Sequence, residues 1–451
     1  MTRTEWRWVL IWISIALIIT SLPYAIGLAR STPDKVFGGF VIAIEDGNSY
    51  LAKMNEGAHG AWLFHLPYTS EPHTGTFFYL FHLLLGKVSA VTSLAPIIVY
   101  HLARLIFGAL LLLTIYRFIA MFIASRAARR IAFLLIIFSG GLGWLLILLG
   151  QTGEPIDLIS PEAFTFLVVY AFPHIALART FLLLGFILVW DADPHNSARD
   201  RRAVWAGVCW LLMGIIVPFY VAVVYAILVA AWLASSIGQR RIDWSEAGRS
   251  IVAGVIATPI LIYTFIVVST DPIWSNWAAQ LVILSPSPLQ YVAAYLVVGA
   301  LAVMGILHVR RSNLQPQASN FHRLIGWVII IPFIIYLPFN SQRRLIESWQ
   351  IPLCIFASIG LVYRVLPTWR RSRVVQRLSQ HRRYSARGLR VWAWSALLFL
   401  SAATYILLLS EQSTRMLAQL PPSFRDGTEI AALDWLNQQA TYDDVVLSSY
   451  N

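Results

Sequence analysis

Apolar residues recur along this chain in runs long enough to cross a bilayer, separated by short polar segments. The runs fall at 9–28, 97–124, 131–150, 166–190, 203–217, 219–237, 250–269, 289–308, 324–338, 349–363 and 391–410. A helix rises about 1.5 Å per residue, so about 20 apolar residues span the roughly 30 Å hydrocarbon core. The pattern predicts an all-α polytopic membrane protein with about eleven transmembrane helices. A further run, 77–90, is interrupted by His82 and Lys87 and would reach only about 20 Å. It is expected to lie as a juxtamembrane surface helix in the first outer loop, about 30–96. The first run, Val9 to Leu28, is too long for a signal-peptide core and reads as an anchoring helix.

Composition sharpens this reading. The chain is 58% hydrophobic and 12% charged, against about 25% charged residues in a soluble domain. The net charge of +12 does not call for nucleic acid, because Lys and Arg collect in the cytoplasmic loops of membrane proteins. With run 77–90 kept at the outer surface, the segments 1–8, 125–130, 191–202, 238–249, 309–323 and 364–390 lie inside. They hold 23 of the 34 Lys and Arg. The expected topology is a plasma-membrane protein with its N-terminus cytoplasmic and its C-terminus extracytoplasmic. Residues 1–410 form the transmembrane domain. Residues 411–451 begin an extracytoplasmic soluble segment, an amphipathic helix and then a strand-like VVLSS, as at the start of a soluble domain that is missing or shortened. Cys209 and Cys354 both fall inside apolar runs and suggest neither a disulfide framework nor a metal cluster.

None of the 22 acidic residues sits mid-span. Coupled transporters keep ionisable groups near the midplane, so a pump or symporter is disfavoured. The acids gather in outer loops instead. In the first loop, Asp46, Tyr50 and Lys53 have i, i+4, i+7 spacing and share one helix face. Asp46 is either the N-cap of a helix through NSYLAKM or a reactive carboxylate, with Glu45 beside it. Glu71 and His73 flank Pro72. With Asp46 they would hold a divalent cation, Mg or Mn, or they would position a sugar hydroxyl; alternatively Pro72 simply breaks the chain. His174 follows Phe172-Pro173 at the outer end of the fourth span and reads as a ligand contact or a core histidine. Arg343 and Arg344 sit together on the outer side, against the orientation rule. A planar guanidinium suits a lipid phosphate, while pairing with Glu347 or with headgroups is the plainer alternative. Arg104, inside the second span, needs a first-loop acid or a lipid phosphate as partner.

These features resemble the GT-C superfamily of membrane glycosyltransferases, the group of the protein O-mannosyltransferases and aminoarabinose transferases. Glu45-Asp46 stands where that family carries its catalytic carboxylate. Phe77–Ala90 followed by Tyr100-His101-Leu102-Ala103-Arg104 resembles its surface helix and the Arg-bearing span after it. ALDWLNQQATYDDVVLSS resembles the start of its soluble domain. The Asp-x-Asp form is absent, and Glu71-Pro72-His73 replaces a His-Pro-Pro pattern. The signatures EDGNSYLAK, YTSEPH, FPH and QRR would mark a bacterial branch of their own. The resemblance implies transfer of a sugar from a polyprenyl-phosphate donor to an extracytoplasmic acceptor, with inversion. Asp46 would be the general base and Glu45 its rival. Glu71 and His73 would assist, and Tyr50, Lys53, Arg104, His174, Arg343 and Arg344 would contact substrate. A flippase of lipid-linked glycans and an envelope structural protein are the rival classes. The first lacks a polar path, since the spans hold only Arg104, Arg117 and Arg179 as charges.

Overall fold

The computed structural model describes residues 2–151, 153–190, 199–311, 318–380, 386–441 and 444–446. Along the chain come α1 (Arg3–Arg30), β1 (Lys35–Phe37), α2 (Ile44–Ala58), α3 (Leu80–Thr92), α4 (Pro96–Phe122), α5 (Arg126–Phe138), α6 (Gly143–Leu148) and α7 (Ile156–Ile159). Then follow α8 (Thr165–Ala171), α9 (Pro173–Trp190), α10 (Arg199–Ile216), α11 (Tyr220–Gln239), α12 (Trp244–Thr270), α13 (Pro272–Gln280), α14 (Pro288–Arg311) and α15 (Ala318–Ile334). A 3₁₀ turn (Gln342–Ile346) leads into α16 (Gln350–Gly360), a π-turn (Leu361–Val365), α17 (Leu366–Arg371), α18 (Arg373–Gln380), α19 (Ala386–Leu417), β2 (Phe424–Asp426) and α20 (Gly427–Gln439).

Every predicted apolar run falls on helix. Among the described residues, eight helical stretches rather than eleven are both long and apolar enough to cross a membrane. Runs 203–217, 324–338 and 391–410 fall on α10, α15 and α19, outside that set. Helix α10 opens with Arg199, Asp200, Arg201 and Arg202, and the apolar part of α15 is short, Asn320–Ile334. Two predicted spans are also broken. Run 131–150 divides into α5 and α6 at Ser139-Gly140-Gly141-Leu142, and run 166–190 divides at Phe172 before Pro173, whose ring cannot continue a helix interior.

The chain forms two compact units. One comprises 1–17 and 103–407, the other 18–102 and 408–451. In the larger unit, helices approach at glycines. A Cβ on Gly305 would lie 2.0 Å from the Phe356 carbonyl, and one on Gly360 would lie 2.1 Å from that of Leu301, so α14 and α16 pack backbone to backbone, as small residues permit in membranes. Ion pairs join segments that the charge rule assigns to the same side: Glu5 with Arg129 at 2.9 Å, and Glu246 with Arg323 at 2.7 Å. Arg179, 0% exposed, donates to both carboxylate oxygens of Glu347, also 0% exposed, and to the carbonyls of Pro161 and Glu162 at 2.9 Å.

In the smaller unit, α2 and α3 form a hairpin closed by the Phe64–Thr76 bridge. A Cβ on Gly57 would sit 2.1 Å from the Leu83 carbonyl, and one on Gly86 would sit 1.8 Å from that of Met54. The tail supplies a strand that the sequence did not announce: β2 pairs antiparallel with β1, Lys35 opposite Asp426, and those two side chains form an ion pair. Of the strand expected at VVLSS, Val445 and Val446 carry no regular structure, and the remainder lies outside the described residues.

Two variants test this packing. Gly86→Val should force α3 off α2 and cost about 1–3 kcal/mol, read as faster proteolysis of the first loop in detergent. Glu347→Ala strands the Arg179 charge and should cost about 3–5 kcal/mol, while Arg179→Met with Glu347→Leu should recover most of the loss. Equal melting of the single and double variants would contradict a buried ion pair.

Candidate active site

The smaller unit carries the first-loop candidates. Helix α2 begins at Ile44, three residues earlier than the capping alternative requires. Ala43, left-handed at φ 47°, occupies the cap without a side-chain hydrogen bond. Asp46 is therefore not an N-cap. It lies with Glu45 in the first turn, and both are exposed. Two carboxylates at the positive end of a helix are stabilised by about 0.3–1 kcal/mol each.

The face shared by Asp46, Tyr50 and Lys53 turns inward along its length. Asp46 is open and Tyr50 half-buried, but Lys53 is 4% exposed. Its Nζ lies 4.3 Å from the Tyr79 ring centroid and within 5.6 Å of those of Tyr50 and Phe64, and it donates to the carbonyl and hydroxyl of Ser49. Burial pushes the Lys53 ammonium down to about 8, against the opposing fields of Asp46 and Glu56. Lys53 thus acts on Asp46 through its field rather than presenting its amine at the surface. Tyr50 stacks on His82 at 4.5 Å, 13° from parallel, which makes that ring part of the wall.

His73 is a fastener of the loop. Its Nε2 accepts from the Leu66 N–H at 2.8 Å, and its Nδ1 lies 2.9 Å from the Glu71 carbonyl. One neutral tautomer, with the proton on Nδ1, satisfies both. Both ring nitrogens are thereby engaged with backbone. Among the described residues no group of three His, Cys, Asp or Glu side chains is placed to share a metal ion. Glu71 is exposed. Glu56, which sequence reasoning did not single out, accepts from the His65 N–H at 3.1 Å. Burial raises its carboxyl, with that hydrogen bond, Lys53 and His73 opposing.

The larger unit holds the arginine loop. Glu347, offered by adjacency as a partner for Arg343 or Arg344, goes to Arg179 instead. Arg344 pairs with Glu162, Nε to Oε1 3.5 Å. Burial raises the Glu162 carboxyl, with Arg344 opposing. Sequence reading gave Glu162 no role; 185 residues of chain separate Thr165 from Gln350, whose Oε1 accepts from the Thr165 N–H at 2.9 Å, and no local pattern reveals that return. Arg343 has its Nε buried without an acceptor. An apolar groove of about 440 Å³ opens in this unit, lined among others by Tyr291, Tyr295, Leu296, Pro332, Tyr336 and Trp349. Arg104 is buried, with Nη1 3.5 Å from the Val169 carbonyl. His174 is half-buried, its ring edge-on to Phe172 at 6.1 Å.

No protein-family model matches this sequence, and no curated protein does. Solved structures do. The oligosaccharyltransferase of Archaeoglobus fulgidus, solved with a tethered acceptor peptide, is similar with a TM-score of 0.51 at 13% identity, covering 95% of this chain and 57% of that one. AglB of the same organism, in complex with an inhibitory peptide and a dolichol-phosphate, gives 0.48 at 13%, with 96% and 58% covered. Arabinofuranosyltransferase AftD from Mycobacteria gives 0.49 at 14%, with 97% and 30% covered. The chain spans little more than half the length of the archaeal enzymes it matches. Identity this low speaks for architecture alone, and on that basis the chain shares the fold of the Archaeoglobus fulgidus oligosaccharyltransferase over most of its own length.

Proposed function

We propose that this chain is a membrane glycosyltransferase that moves a sugar from a polyprenyl-phosphate donor to an extracytoplasmic acceptor, inverting the anomeric centre. The observation that carries the reading is the open carboxylate pair, Glu45 and Asp46, in the first turn of α2, on a GT-C fold and in the first loop after α1. Asp46 is the general base. It takes the proton of the acceptor hydroxyl as that oxygen bonds to the anomeric carbon. The anomeric bond to the phosphate oxygen breaks on the opposite face, the geometry that inverts the centre. Polyprenyl phosphate leaves with the electron pair. Glu45, next in the chain, is the rival base.

Within the larger unit, the arginine loop offers guanidinium donors suited to a lipid phosphate. The groove beside Tyr291 and Tyr336 offers the prenyl chain an apolar bed at the outer end of α14. Lys53 contributes a fixed positive charge behind Asp46 and makes no contact with substrate.

The decisive experiment is transfer from a panel of polyprenyl-phosphate sugars by the purified protein in lipid. Asp46→Asn should lower turnover about 10²–10⁴-fold at unchanged melting temperature, and Glu45→Gln should stay within about tenfold of wild type. Near-normal turnover in Asp46→Asn would remove Asp46 from the chemistry. Donor binding without turnover, equal in wild type and variant, would make the protein a carrier. An EDTA arm reads metal dependence. Lys53→Met tests the counter-charge. A buried Lys with a depressed pKa is destabilising while it is charged in both states, and the cost shrinks as pH rises from about 8 toward the unfolded value. Lys53→Met should therefore gain about 1 kcal/mol at pH 7, less at pH 9.5, while slowing transfer. A gain independent of pH would show that the ammonium is not buried as a charge.

A further inference from the structure

Two adjacent arginines suggest a single phosphate clamp. The geometry assigns them different tasks. We infer that Arg343 takes the lipid phosphate while Glu162 holds Arg344 away from it, so that Glu162 is the positioning residue that sets the two roles. The inference rests on the proposed role of this loop in holding a phosphate.

The backbone separates the pair first. Arg343 and Arg344 lie in the 3₁₀ turn Gln342–Ile346. With three residues per turn, successive side chains diverge by about 120°, so the pair cannot close on one anion from the same direction. The turn itself is pinned. The Arg343 N–H donates to the Ile283 carbonyl at 3.2 Å, and the Gln342 side chain accepts from the Ser285 N–H at 2.9 Å.

Arg344 is committed. Its Nε faces Glu162 at 3.5 Å, and the Glu162 side chain is 7% exposed. Glu162 cannot follow Arg344 outward. Its backbone carbonyl accepts from the Ser348 N–H at 3.1 Å and from Arg179 Nη2 at 2.9 Å, and its carboxylate accepts from the Ser160 hydroxyl at 3.4 Å. Drawing Arg344 to a ligand would leave the buried Glu162 carboxylate with only the weaker field of Arg343, an unfavourable state.

Arg343 is available. Glu347, the only acid within four residues of it in the chain, is taken by Arg179 and by the Ser348 hydroxyl. The Arg343 Nε is buried with no acceptor, which a native fold seldom leaves unmet. Arg343 lies within electrostatic range of Tyr291, a wall of the apolar groove. A phosphate whose lipid tail occupies that groove would supply two oxygens to the fork of Arg343.

The test is the affinity of the full-length protein in detergent for undecaprenyl phosphate, with melting temperature reporting fold. Arg343→Ala should weaken binding at least tenfold and Arg344→Ala less than threefold. Glu162→Gln should tighten binding a few-fold by releasing Arg344. The decisive variant is Arg343→Ala with Glu162→Gln. It should regain at least half of the lost affinity on a logarithmic scale, a rescue that a merely structural Glu162 would not produce. An Arg344→Ala loss equal to or greater than that of Arg343→Ala overturns the division of labour while leaving the phosphate role of the loop intact. Unchanged binding in both arginine variants overturns that role itself, and the division with it. If Glu162→Gln fails to fold, the comparison of the two single arginine variants decides alone.

Discussion

Arg179 is a full charge in a place without water, and the larger unit is arranged around what that charge must find. A buried guanidinium offers five N–H donors, and an unmatched one is costly. Here they reach both oxygens of Glu347, the hydroxyl of Thr165 and the carbonyls of Pro161 and Glu162. One side chain on α9 thereby fixes the loop before α8 and the loop before α16, which lie far apart in sequence. The arginine loop is the visible end of that arrangement. Its geometry follows from an ion pair beneath it rather than from its own residues.

The same demand shapes the broken spans. Where α5 stops and α6 begins, backbone N–H groups lose their helical acceptors, and in a low-dielectric setting they must find others. Asp157 supplies them, accepting from Gly141 at 2.7 Å and Gly143 at 3.1 Å, with the Thr404 hydroxyl at 2.9 Å. The glycines are required by crowding: a Cβ on Gly141 would lie 2.2 Å from the Ala294 carbonyl, and one on Gly143 2.1 Å from Asp157 Oδ1. Gln350 closes a second gap, donating to the Ser139 carbonyl at 2.8 Å and accepting from Thr165. Polar side chains at these helix ends are backbone substitutes, a role that looks identical in sequence to a binding role.

That identity marks where sequence reasoning stops. Spans were legible because apolar run length is a local property, and α3 was legible as too short to cross. The twist at Ser139–Leu142 was not, because a Gly-Gly pair inside an apolar run is tolerated by membrane helices and becomes a break only when a distant carboxylate caps it. Pairing of β1 with β2 joins segments almost 400 residues apart, and three-residue strands carry no usable periodicity. At the arginine loop, proximity in sequence pointed to Glu347, while proximity in space delivered Glu162.

The first loop shows how an i, i+4, i+7 stripe can be read correctly and still mislead. Asp46, Tyr50 and Lys53 do share a face, but α3 and the loop that His73 ties down cover that face progressively. The covering turns the stripe into a gradient from exposed carboxylate to buried ammonium. A charge buried among three rings costs free energy, and its field acts on Asp46. Removing Lys53 to the surface would stabilise the hairpin and weaken the field. That cost in stability is the physical counterpart of a carboxylate whose environment is set from behind.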